Sequence, residues 1–341
     1  MLKPTIRPGK LKLPLQLPLP LPRTSPSTRL HSTSTSSVSP NELSHFSALA
    51  SSWWDPMGPS RVLHLMNPVR HDFIATCLNE APPRPLPPSS EPPSNKNNLR
   101  YLDIGCGGGI FAESLARTIP SPNTPSTPAT TTRAAHITAI DPTPTLIRIA
   151  KDHARADPKV AEHLREGRFE YRNCTLETLV DEAASSPSEG AAGTGYDVVT
   201  LFEVLEHIDT NATSSPLRFL TDCLRLVRPG GWLIGSTIAR SVPSFLVNQV
   251  IAEAPWPVGV VPRGTHEWSK FVNPAELEGW VQEGLMRVAD GKAARGGSEA
   301  LRGMRWKCAG VMYFPGLGWK IVSGSEEWGN YFWAVRRGTT D

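Results

Sequence analysis

The segment Leu201-Phe202-Glu203-Val204-Leu205-Glu206-His207-Ile208 places two carboxylates and an imidazole close together in the chain. If Glu203 opens a helical turn, Glu206 and His207 fall at i+3 and i+4, on one face and within side-chain reach. Such a set can bind a divalent metal ion through Glu203, Glu206 and His207, or His207 can serve as a general base beside Glu206. Mg²⁺ prefers oxygen ligands, so the imidazole suits Zn²⁺ or Mn²⁺ better. A histidine that merely ties down its loop is the structural alternative.

A second group lies upstream. Asp103-Ile104-Gly105-Cys106-Gly107-Gly108-Gly109 follows a short apolar run and precedes a helix-like stretch from Ile110 to Arg117. Glycines between a strand and a helix N-terminus let a ligand approach the backbone and point free N–H groups at it. The dinucleotide pattern G-x-G-x-x-G would need glycine at position 110, which is Ile110, so a nicotinamide oxidoreductase is disfavoured. The pattern acid-x-G-x-G-x-G, carried by Asp103, Gly105, Gly107 and Gly109, resembles that of S-adenosylmethionine-dependent methyltransferases. Asp141 ends the next apolar run, 36 residues beyond Gly105. It could accept both ribose hydroxyls of a cofactor or cap the helix after Pro142. With a sulfonium methyl donor, the carboxylate and histidine cluster acquires a use: a catechol held there must lose a proton to become a nucleophile.

These residues need a scaffold. Apolar runs at 100–104, 136–140, 169–172, 196–202 and 232–237 alternate with helix-like stretches, which predicts a parallel sheet covered on both faces. Residues 302–337 offer two apolar stretches around a turn and predict a closing antiparallel pair. Asn41 to Leu78 reads as two helices broken at Asp55-Pro56-Met57-Gly58-Pro59. Segments 81–98, 120–134 and 183–194 are rich in Pro, Ser, Thr, Gly and Ala and read as surface insertions.

Several separated motifs together resemble one family. Trp53-Trp54-Asp55-Pro56, Asn67-Pro68-Val69-Arg70, the glycine loop, Glu203-Val204-Leu205-Glu206-His207, Arg228-Pro229-Gly230-Gly231 and Gly264-Thr265-His266-Glu267-Trp268 occur in the order expected of ubiquinone biosynthesis O-methyltransferases. The resemblance spans roughly residues 43–337. It implies a Rossmann-like class I methyltransferase of the α/β class, with a mostly parallel seven-stranded sheet, an antiparallel last strand and an N-terminal helical cap. It also implies O-methylation of polyprenylated catechols, namely 3,4-dihydroxy-5-polyprenylbenzoate and demethylubiquinol. By the same resemblance Arg70, Gly105, Asp141 and Phe202 contact S-adenosylmethionine, and Glu203, Glu206 and His207 bind Mg²⁺ or another divalent cation. A guanidinium at Arg70 suits the cofactor carboxylate. Membership of a multiprotein ubiquinone-biosynthesis complex follows from the same likeness. Competing readings are a methyltransferase of another phenol and a cofactor-binding scaffold without activity.

Composition sets the remaining bounds. Of 34 prolines, 18 fall in the first 100 residues and six between Pro120 and Pro144. The first 41 residues hold six Lys and Arg and no acid before Glu42, with a Ser/Thr-rich stretch from Ser25 to Ser39. Basic, hydroxylated and acid-free is the composition of an import sequence, here read as a disordered mitochondrial transit peptide over residues 1–40. Leu17 to Pro22 alternates Leu and Pro and cannot belong to an import helix. The methyltransferase domain then spans 41–341. A net charge of +3 argues against a nucleic-acid partner. Five scattered cysteines without a CxxC pair suit a reducing compartment. No apolar run is long enough to cross a membrane. The Trp-bearing, charge-poor stretch 241–261 is a candidate for peripheral contact with the matrix side of the inner membrane, or else ordinary core.

Overall fold

The first strand, β1 (Leu99–Ile104), is buried along nearly its whole length, as a run of apolar residues covered on both faces must be. The computed structural model describes residues 36–83, 98–120, 130–185, 195–211, 214–246, 253, 267–290 and 300–339. Most of the leader 1–40, the greater part of the three expected insertions, most of the stretch 241–261 and residues 264–266 lie outside them. Residues Ser34–Asp341 make up one unit.

β1 pairs in parallel with β2 (Ala134–Asp141) on one side and β4 (Tyr196–Phe202) on the other. β3 (Phe169–Asn173) extends the sheet beyond β2, and β5 (Val227–Ile238) extends it beyond β4, also in parallel. Three further strands complete it: β6 (Arg305–Phe314), β7 (Gly318–Val322) and β8 (Asn330–Arg336). The order is β3-β2-β1-β4-β5-β8-β6-β7, with β8 antiparallel to β5 and to β6, and β7 antiparallel to β6.

The expected Rossmann-like arrangement is present, with eight strands where seven were anticipated. The addition is β7. The segment read as one apolar stretch folds back at Phe314-Pro315-Gly316-Leu317, where Gly316 and Gly318 take φ of 81° and 73° and permit the reversal. Two of the insertions are also shorter than expected. Residues 183–185 complete helix α6 (Leu176–Ser185), and Ala134 begins β2. Ala81 is buried rather than loop-like, because its carbonyl accepts a 2.8 Å hydrogen bond from Trp232 Nε1.

Helices pack on both faces. Alternation along β8 shows how: Phe332 and Ala334 join one apolar cluster with α2 (Arg61–Glu80), α3 (Ile110–Ala116) and α5 (Pro158–Arg165), while Tyr331, Trp333 and Val335 join the other. The second face carries α6, α7 (Pro216–Leu226) and α8 (Pro274–Asp290). Helix starts follow their sequence signals. Ser39 caps α1 (Pro40–Leu49) through the Glu42 N–H, and Ser215 caps α7 through the Arg218 N–H, each with proline at the first position. Pro68 lies inside α2, where it removes one helical donor; the neighbouring Asn67 and Arg70 are the polar residues this helix buries.

Candidate active site

The C-terminal ends of β1, β2 and β4 meet along one edge of the sheet, where ligands bind in open α/β folds. A cavity of about 470 Å³ runs there, lined by Asp103, Gly105, Gly107, Asp141, Phe202, Glu203, Glu206, His207 and Arg70. Every expected site residue therefore faces the same cavity. Sequence separation is bridged by four elements: α2, β1, β2 and the segment after β4.

Gly105 and Gly107 have φ of 69° and 53°, a region that side chains make costly. Space excludes a side chain as well. A Cβ on Gly105 would lie 2.6 Å from Val204, and one on Gly107 would lie 2.7 Å from the Trp53 ring. Trp53 thus lies directly on the loop, and Trp54 Nε1 donates to the Gly108 carbonyl at 2.9 Å. Trp54 in turn stacks on His153 from α4 (Pro144–Ala156), with centroids 3.5 Å apart. The two tryptophans of the W-W-D-P motif are the N-terminal cover of the loop, a role the motif by itself did not disclose.

Asp141 is buried, and its carboxylate binds the two loops together. Gly107 N–H donates to Oδ2 at 2.9 Å and Thr143 N–H to Oδ1 at 2.8 Å. Burial raises its pKa, opposed by these same donors. Thr143 occupies the N-cap position of α4 but makes no side-chain capping hydrogen bond, and Asp141 instead accepts from the N–H of Thr143 itself at the entry to the helix.

Arg70 is 3% exposed. Its Nη1 donates to Asn67 Oδ1 at 3.1 Å, its guanidinium lies 4.9 Å from the Phe202 ring centre, and its Nε has no partner among the described residues. Burial lowers its pKa, with the charges of Glu203 and Asp103 acting the other way. Asp103 accepts from Thr200 Oγ1 at 2.6 Å through one oxygen, while the other is buried without a donor among the described residues. Burial pushes its pKa up to about 7. An unpaired guanidinium nitrogen and an unpaired carboxylate oxygen in one cavity complement a ligand that bears both a carboxylate and an ammonium group.

Glu203 does not open a helical turn. Its φ is +55°, and only Leu205–His207 forms a short 3₁₀ turn. Glu203 Oε1 accepts from Ser236 Oγ at 2.6 Å, and Glu206 Oε2 accepts from Thr237 Oγ1 at 3.0 Å. Burial, reinforced by the charge of Glu203, raises the Glu206 pKa to about 8. Among the described residues no group of three or more His, Cys, Asp or Glu side chains is arranged to hold a metal ion. In this conformation the three residues do not share a cation site, because Glu203 faces Ser236 and Asn330, Glu206 faces Thr237 and His207 faces Glu42.

His207 has a partner that sequence spacing could not reveal. Its Nδ1 lies 3.2 Å from Glu42 Oε2 on α1, and Lys270 Nζ lies 3.2 Å from the other oxygen of Glu42. The hydrogen bond to His207 is the chief cause holding the Glu42 carboxyl down at about 2. An ionised acceptor requires the proton on Nδ1, leaving Nε2 with a lone pair in the neutral imidazole. Burial would lower the His207 pKa, but the Glu42 hydrogen bond and the charges of Glu206 and Glu42 outweigh it, so the net direction is upward. Phe46 meets the ring edge to face at 4.9 Å.

The fold and this site define the class: an S-adenosylmethionine-dependent methyltransferase. Residues 70–284 match a family model described as a methyltransferase domain. The chain is 32% identical to the mitochondrial ubiquinone biosynthesis O-methyltransferase of Candida albicans, over 88% of this chain and 86% of that protein. It is 34% identical to the ubiquinone biosynthesis O-methyltransferase of Methylobacterium nodulans, over 89% of this chain and 98% of that protein. The corresponding protein of Methylobacterium sp. (strain 4-46) is 38% identical over 74% of this chain and 84% of its own. The chain belongs to the ubiquinone biosynthesis O-methyltransferase family.

Proposed function

We propose that the protein transfers the methyl group of S-adenosylmethionine to a catechol hydroxyl of a polyprenylated ubiquinone precursor, 3,4-dihydroxy-5-polyprenylbenzoate and demethylubiquinol being the two substrates. The supporting observation is the single cavity in which the glycine loop, Arg70 and Asp141 adjoin the Glu206–His207 pair. Arg70 and Asp103 hold the cofactor's amino-acid end, with Gly105 against it, Asp141 at the ribose and Phe202 beside the adenosyl group. His207, its Nδ1 proton held by Glu42, takes the phenolic proton at Nε2. Attack on the sulfonium methyl then joins an anion and a cation, a charge change that a dry cavity favours.

A divalent cation, Mg²⁺ by family likeness, is the second element of the proposal. Glu203, Glu206 and His207 would hold it only after leaving Ser236, Thr237 and Glu42, and it would then lower the pKa of the catechol hydroxyls in place of proton uptake by His207. Among the described residues no helix is long and apolar enough to cross a membrane. The basic N-terminal segment supports mitochondrial import, and the prenylated substrate supports peripheral work at the matrix face of the inner membrane, with segment 241–261 as contact and other biosynthetic enzymes as partners.

Methyl transfer to a prenylated catechol, measured with and without EDTA, tests the reading. Turnover that EDTA abolishes and Mg²⁺ restores supports both parts; turnover indifferent to EDTA removes the metal and leaves the His207 route. Activity confined to unprenylated phenols would overturn the substrate assignment.

A further inference from the structure

The cavity has two chemically distinct ends. Among the described residues, the Asp, Glu and Arg side chains that line it gather where β2, β1 and β4 end, around Asp141, Asp103 and Glu203. Beyond Glu203 the wall changes character. It passes to Val62 and Met66 of α2, Met312 and Tyr313 of β6, Trp319 of β7, and Trp328 just before β8, with no acid or base among these six. Sheet order separates the two ends, since β4 lies between β1 and the β8-β6-β7 group. Glu203 stands at the junction, its other carboxylate oxygen accepting from Asn330 at the start of β8.

This apolar end is a built feature. Trp319 Nε1 donates to the Val62 carbonyl at 2.8 Å, which fastens the edge strand β7 to α2. The Tyr313 and Trp319 rings lie 5.4 Å apart. At the outer end apolar surface continues into solvent, with Trp328 57% and Leu317, at the β6–β7 reversal, 72% exposed. A catechol ring alone, placed with its hydroxyl at His207, would leave that groove uncovered.

We propose that the groove between α2 and the β6–β7 hairpin binds the isoprenoid tail of the substrate, and that Met312, Tyr313, Trp319 and Trp328 set the preference for a prenylated over an unprenylated catechol. The assignment rests on the catechol reading given above. The occupant follows from continuity: the groove opens from the same cavity as the reacting cluster, and a hydrocarbon chain attached to the ring matches a wall that, among the described residues, carries no charge from Glu203 outward to the surface.

The test compares kcat/KM for a catechol bearing two isoprene units with that for the same ring without them, in buffer free of lipid and detergent. The wild-type chain is compared with Trp328→Ala and with Met312→Trp, which narrows the groove from inside. The expected result is a wild-type preference of about a hundredfold for the prenylated ring, reduced about tenfold or more in each variant and carried by KM. A wild-type preference that both variants retain would overturn the groove and leave the catechol reading standing. A wild type without preference would overturn the prenylated-substrate reading, and the groove with it. Circular dichroism and cofactor affinity of the variants establish that loss of preference is not loss of fold.

Discussion

The two ends of the reacting centre are built on different principles. The glycine loop is local: Asp103 to Gly109 are consecutive, and their backbone angles and the adjoining β1 and α3 place them. The His207 end is assembled from distance. Glu42, Glu206, His207 and Lys270 come from α1, the turn after β4 and the 3₁₀ turn at Trp268–Lys270, with 228 residues between Lys270 and Glu42. A local site tolerates change elsewhere and fails at its own backbone. An assembled site fails when any contributing element shifts.

The sharpest break in that contrast is at Gly105. Gly105→Val combines a positive φ with a contact 2.6 Å from Val204, and S-adenosylmethionine binding by calorimetry should weaken by at least roughly 100-fold. His207→Ala attacks the other end. Its turnover should fall by roughly 10²–10⁴ while cofactor affinity stays within about threefold, because in the proposed mechanism the imidazole acts on the phenol and not on the cofactor. If cofactor affinity collapsed too, the two ends would not be separable.

Glu42→Gln probes the long-range contribution. It keeps the shape but loses the charge that holds Nδ1 protonated, so turnover should fall about tenfold with near-normal cofactor binding. Turnover equal to wild type would make α1 a mere cover. The smallest effect concerns Asp103. Its pKa is raised from 3.8 to about 7, so its stabilising contribution is complete below 3.8 and is lost as pH rises through about 7. Asp103→Asn retains an acceptor for Thr200 and removes that loss. The ligand-free variant should melt about 2–4 °C above wild type near about pH 8.5, with the gap narrowing as pH falls through the window and closing only below about pH 3.8. Equal melting throughout would show that the buried carboxylate carries no strain.

Legibility in the sequence followed the same division. The parallel strands were readable because burial on both faces demands continuous apolar runs, and β4 was found to the residue. The β6–β7 reversal was not, because two strands joined by a tight glycine turn look like one apolar stretch. The helical turn expected at Glu203 failed for a related reason: spacing reports which side chains could share a face, not whether the backbone takes a left-handed step between them. Trp53 was visible as a motif, yet its place on Gly107 depended on α1 and α2 folding over the loop.

Sequence alone determined the chemistry available to this protein: a glycine loop that admits a ligand to the backbone, an acid at the end of the next strand, and a carboxylate–imidazole cluster. Those follow from residue type and short-range backbone geometry. Tertiary structure decided how that chemistry is arranged: that Glu42 orients His207, that Glu203, Glu206 and His207 face separate partners, and that an apolar groove leads from them to the surface. Such contacts join residues far apart in the chain, and only packing of the intervening elements brings them within hydrogen-bond distance.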